Sequence, residues 1–197
     1  MTGPGLTVRY LRPWRIELTV RPGVPRLRSL AQLARLVDVA LRAARAPQPA
    51  SIGVILSDDA ELAALNLEAM GRRGPTDVLS FPLLPPEAFP PHPGRTTTAT
   101  TAPGTAPPAA RPFALPPGAR PHLGDIVVSV ERAIGQAERG RGGQTGSVAW
   151  DPADELSLLV VHGILHLCGW DHAEPGEEAA MRALETEILA DPSWVRA

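Results

Sequence analysis

His162, His166 and His172 stand in the spacing H-x3-H-x5-H within the run HGILHLCGWDH. On a helix, the first two imidazoles lie about 40° apart on one face, one turn apart along the axis. Gly169 permits the chain to reverse, so that Trp170, Asp171 and His172 bring a third imidazole back over that face. Three converging neutral imidazoles with one open position describe a catalytic zinc site, one ion per chain, rather than a closed structural one. A lone histidine in an apolar helix is usually a satisfied core residue. Burying three without a ligand would leave several polar atoms unpaired, so spacing and burial together predict metal binding. Cys168 points away from His166 on a helix and is expected to pack. Asp171 is a candidate carboxylate for orienting a histidine, or a fourth ligand that would make the site structural.

The same residues fit H-x-x-x-H-x-x-G-x-x-H, the spacing of metzincin proteases. Those enzymes place a glutamate general base directly after the first histidine, and here that position is Gly163. A metalloprotease is therefore the weaker reading. The donors leave the full charge of the ion available to polarise an oxyanion and to lower the pKa of water.

The elements that must position these residues can be read from periodicity. Asp151-Pro152 is an N-cap followed by an N1 proline, and the helix LSLLVVHGILHLC is apolar nearly all round, hence buried. A last helix runs from about Glu177 to Ala190. Upstream, 14–20 alternates as a strand, paired with 6–11, and Leu27 to Ala46 is an amphipathic helix. Residues 51–56 read as a buried strand, and Ser57 as the N-cap of a helix reaching Met70. Asp77 to Leu83 is a short strand that Pro82 assigns to an edge or an end. After Gly124, IVVSV is a buried strand, and Glu131 to Arg139 is helical. The expectation is an α+β fold, a small mixed four-stranded sheet covered by helices, in one domain over 1–197. Residues 84–121, rich in Pro, Thr and Ala, read as a flexible insertion unable to bury a core.

Composition narrows the function classes. The chain has 197 residues with 44% apolar and 20% charged, which suits a packed domain. Aromatics at 4% argue against a surface built mainly for stacking bases. The single cysteine excludes an internal disulfide, and all 19 basic residues are arginine. With neither a signal-like leader nor a run of about 18 apolar residues, a soluble cytoplasmic protein without a membrane span is expected. The net charge of −2 conceals an asymmetry: residues 1–50 sum to +7 and 151–197 to −8. The basic front is either a solvated helix face or a footprint for nucleic acid.

Three blocks, GPTDVLSFP (Gly74 to Pro82), LGDIVVS (Leu123 to Ser129) and HGILHLCGWDH, followed by the acidic helix EEAAMRALETEIL, resemble the YbeY endoribonucleases. The resemblance spans about 50–190, apart from the insertion. It implies a zinc-dependent hydrolase of single-stranded RNA, of α+β fold, acting in ribosomal RNA maturation alongside the ribosomal subunit or its associated proteins. Under it the three histidines become metal ligands. Asp77 becomes a catalytic candidate, Thr76 and Ser80 substrate-binding candidates, and Asp125 lies in the LGD turn. The bland alternatives are turn capping for Thr76 and Asp77, and a strand-end hydrogen bond for Asp125. Where the family pattern has a catalytic arginine this chain has Met70, and Arg72 or Arg73 is the candidate replacement. Arg28, Arg35, Arg42 and Arg45 on the first long helix could then track RNA phosphates. Two functional classes remain: a metal-dependent endoribonuclease, and a non-catalytic, zinc-stabilised RNA-binding or assembly factor. For the first, metal-assisted hydrolysis is favoured over 2′-OH attack, because His92 and His122 lie in or beside the insertion.

Overall fold

The computed structural model describes residues 5–94, 119–139 and 151–195. Five strands form one sheet in the order β1-β2-β3-β5-β4, not four as the sequence suggested. β1 (Gly5–Leu11) and β2 (Trp14–Val20) make an antiparallel hairpin, with Leu11 opposite Trp14. β1 is mostly exposed or half-buried, so its residues carry little of the apolar alternation that marks β2. β3 (Ala50–Ser57) runs parallel to β2 and to β5 (His122–Ser129), and β4 (Val78–Pro82) closes the far edge antiparallel to β5. Pro82 sits at the end of that edge strand, where it forfeits no ladder bond inside the sheet.

The first helix, α1 (Leu30–Ala43), is shorter at both ends than the periodic pattern. Ser29 and Gln32 form a capping box: the Ser29 hydroxyl accepts the Gln32 N–H, and Gln32 Oε1 accepts the Ser29 N–H, both at 3.2 Å. Arg28 and Arg45 therefore lie outside α1. The second helix, α2 (Asp59–Met70), is capped by Asp58 and not by Ser57, because Ser57 is still paired with Ser129 in the sheet. Gly71, at φ +65°, ends it. α3 is Val130–Glu138, and α5 is Pro175–Ala190, starting earlier than expected.

Between them α4 (Pro152–Leu167) is enclosed by α1, α3, α5, β4 and β5, which is why its sequence is apolar on every side. The core fills the space between the helices and the sheet face that carries Trp14, Ile16, Leu18, Val54 and Ile126. Residues 84–94 depart from the insertion reading: a short 3-10 turn at Pro86–Ala88 leads to Phe89, which is buried in this core. Most of the rest of the insertion, 95–118, lies outside the described residues. Among the described residues no helix is long and apolar enough to cross a membrane.

Candidate metal centre

Asp151 caps α4 by accepting the Ala153 N–H at 2.7 Å, and Pro152 occupies the first turn. At the other end Gly169 adopts φ +82° and the Trp170 N–H returns to the Leu165 carbonyl. This reversal brings His172 over the face that carries His162 and His166. One potential ligand atom from each of the three lies within 4.8 Å of the others. The His162 and His166 rings stand edge to face, with Nε2 facing Nε2 at 3.1 Å.

The outer nitrogens fix the tautomers. His162 Nδ1 lies 2.7 Å from Glu185 Oε1 on α5, and His166 Nδ1 lies 3.0 Å from the Trp170 carbonyl oxygen. A carboxylate and a carbonyl are acceptors, so each Nδ1 carries the proton and each Nε2 presents a lone pair. Two lone pairs facing each other across 3.1 Å repel unless a cation lies between them. A shared proton is disfavoured at neutral pH: burial, then the neighbouring His162 and His172, push His166 down to about 4. Tetrahedral zinc, with Zn–N bonds near 2.05 Å, sets its nitrogens about 3.3 Å apart, so the spacing of the His162 and His166 donors suits the ion.

Among the described residues no carboxylate or thiol joins this donor cluster. Cys168 is buried and its thiol is pushed up to about 12 by that burial, as expected of a packing residue. Asp171 does not orient a histidine ring. Its Oδ1 accepts the backbone N–H of His172 at 2.8 Å, because the turn directs it at its own backbone, and Glu185 orients His162 instead. Gly163 explains the missing protease base. A Cβ there would meet Val78 Cγ2 at 2.8 Å, so the helix–strand contact leaves no room for glutamate.

The second block packs on this helix. Ser80 Oγ donates to the Gly163 carbonyl at 3.0 Å, fastening β4 beside His162. Asp77 Oδ1 accepts the Val78 N–H and the Thr76 hydroxyl, and Oδ2 accepts Gln136 Nε2 of α3. Burial pushes the Asp77 carboxyl up, and these hydrogen bonds more than offset it, holding it below its ordinary value. Arg72 and Arg73 are exposed on the turn between α2 and β4. Asp125 is not in a turn: it lies within β5, where Oδ1 pairs with His122 Nε2 at 3.0 Å and His122 Nδ1 meets Ser51 Oγ at 2.9 Å. Gly124, at φ +139°, lets the LGD block stay in the sheet.

The arginines of the basic front are mostly engaged. Arg28 spans Asp154, Ser157 and the Ala153 carbonyl, with its guanidinium over Trp194. Arg35 donates to the Trp194 carbonyl, and Arg42 to Asp38 and the Arg12 carbonyl.

Glu185 was not singled out from the sequence. A signal existed: Met181 and Ile188 are buried on α5, and Glu185 stands four residues after one and three before the other, a carboxylate on an apolar stripe.

A family model described as "Endoribonuclease YbeY" matches residues 23–192. A protein of that name from Thermobifida fusca is 38% identical over 181 residues, covering 92% of this chain and 94% of that one. One from Salinispora tropica is 42% identical over 149 residues, covering 75% of this chain and 76% of its own. A solution structure of a Thermotoga maritima protein aligns with a TM-score of 0.45 at 22% identity, covering 88% of this chain and 86% of that one. With a family model matched over most of its length and relatives at this identity, the chain belongs to the YbeY endoribonuclease family.

Proposed function

We propose that this chain is a zinc-dependent endoribonuclease that hydrolyses single-stranded RNA in ribosomal RNA maturation, with the ion held by His162, His166 and His172. The observation that carries this reading is the pair of Nε2 lone pairs facing each other at 3.1 Å while both Nδ1 protons are held by acceptors. When bound, zinc supplies Lewis-acid stabilisation of a phosphoryl oxygen and activates water at neutral pH.

The chain's own residues supply the rest. Glu185 and the Trp170 carbonyl hold the imidazoles in the donor tautomer, and Ser80 keeps β4 against α4. Arg72 and Arg73, with no side-chain partner among the described residues, are the candidates to neutralise phosphate charge at the reacting centre. Thr76 and Ser80 are the candidates to bind the substrate there. With both oxygens engaged, Asp77 acts by fixing the turn that presents the arginines. Arg35 and Arg42 keep guanidinium donors beyond those they spend on the fold, and on α1 they would follow the RNA backbone. Partners would be the ribosomal subunit or its associated proteins, and the setting the cytoplasm. Met70, 53% exposed and uncharged at the arginine position of the resemblance, favours the second reading of a zinc-stabilised assembly factor.

Rigorously purified wild type and His166→Ala, assayed for bound zinc and for cleavage of single-stranded RNA, separate the two. Zinc and cleavage are expected to be lost together in a folded variant. Wild type that binds zinc stoichiometrically yet cleaves no better than the variant would overturn the endoribonuclease.

A further inference from the structure

The turn that carries His172 is gripped from outside by residues to which the zinc chemistry gives no role. Trp170 is 7% exposed, and His92 lies flat on its ring, with centroids 4.3 Å apart and planes 8° from parallel. Two residues on, the Gly94 carbonyl accepts the Asp171 N–H at 2.8 Å. A Cβ at position 94 would stand 2.1 Å from Trp170 Cε3, a contact no side chain tolerates without moving the indole. Upstream, Phe89 is 4% exposed in the core, so the segment is anchored.

The Asp171 N–H and the Trp170 carbonyl belong to one planar peptide group, and in a trans peptide they point in opposite directions. One end of that plane is therefore held by Gly94 and the other orients His166 Nδ1 at 3.0 Å. Rotating the plane would break both hydrogen bonds at once. Donation at the N–H end also polarises the carbonyl and strengthens it as an acceptor.

We propose that residues 89–94 are a positioning element of the metal centre, with Gly94 and His92 acting on His166 through the Trp170–Asp171 peptide. The proposal rests on the metal reading of the three histidines. It assigns the first limb of the insertion to the site, where the sequence suggested only a loop.

The test uses the full chain as wild type, Gly94→Ala, His92→Ala, His92→Phe and, as a control, His162→Ala. Zinc affinity is measured by chelator competition, and the His166 tautomer by nitrogen-15 shifts of the metal-free protein. Gly94→Ala is expected to bind zinc at least tenfold more weakly and to lose the uniform Nδ1–H tautomer at His166. His92→Ala is expected to weaken binding about threefold to tenfold, the range of one aromatic contact, and His92→Phe to restore it. His92→Ala and Gly94→Ala both folded, with wild-type zinc affinity and tautomer, would overturn the positioning role while leaving the metal site standing. Zinc bound equally by wild type and His162→Ala would instead overturn the metal reading, and this proposal with it.

Discussion

Replacing Glu185 tests whether the candidate metal centre depends on a carboxylate from a separate helix. The contact it makes with His162 Nδ1 is 2.7 Å long, and the two side chains are only 25% and 11% exposed. A hydrogen bond to a charged group in such a place contributes about 1.5–3 kcal/mol. At about 1.4 kcal/mol per factor of ten, that is roughly 10–100-fold in zinc affinity, the range seen when a carboxylate behind a metal-bound histidine is removed. Glu185→Ala loses the acceptor and frees the ring to turn. Glu185→Gln keeps an acceptor oxygen but not the charge, and is expected to fall near tenfold. Chelator competition at pH 7.5 reads both variants, with circular dichroism confirming the fold. Glu185→Ala within twofold of wild type would refute the reasoning, since the ring would then be oriented without this contact.

Two further outcomes follow from packing and from charge. In Gly163→Ala the added methyl meets Val78 Cγ2 at 2.8 Å and Ile126 Cγ2 at 3.3 Å. Overpacking of about 1–3 kcal/mol, less about 1 kcal/mol of gained helix propensity, predicts net destabilisation of about 1 kcal/mol in urea titrations. A stabilised variant would show that α4 and β4 are not in tight contact. The Asp77 carboxyl is held below its unfolded value, so its contribution is present above about pH 4 and is lost as pH falls through the folded value. Wild type is therefore expected to be more stable than Asp77→Asn at pH 7, with the two converging as pH drops below 4. A gap that persists unchanged to pH 2 would sink that account.

The convergence of the three histidines and the helix carrying two of them are legible because both follow from local spacing: i, i+4 histidines, an enclosing apolar run, and a glycine turn. What was not legible is what reaches the site across the fold. Glu185 is 23 residues from His162, and only the docking of α5 brings them together. Ser57 resembled an N-cap until the sheet register claimed it, and Asp125 resembled a turn residue until Gly124 allowed the strand to begin at His122. The sequence suggests a strand at 6–11 paired with 14–20 yet a sheet of only four strands, and β1, an edge strand, buries too little to show an apolar alternation. Arg28 reads as a solvated charge or a contact for RNA phosphates, yet it clasps the first turn of α4 and covers Trp194.

The hydrogen bond from the Leu83 N–H to the Leu123 carbonyl, 3.0 Å long, joins the two sides of the β4–β5 connection. Its ends are thus already together, whatever the number of residues between them. For such a connection the entropy of closure rises only with the logarithm of length, about 0.6 kcal/mol for each doubling. Sequence can therefore accumulate between Gly94 and β5, beyond the segment that grips the Trp170 turn, almost without penalty to the sheet. This is a position at which a chain of this architecture can lengthen and diversify while the three histidines stay where they are.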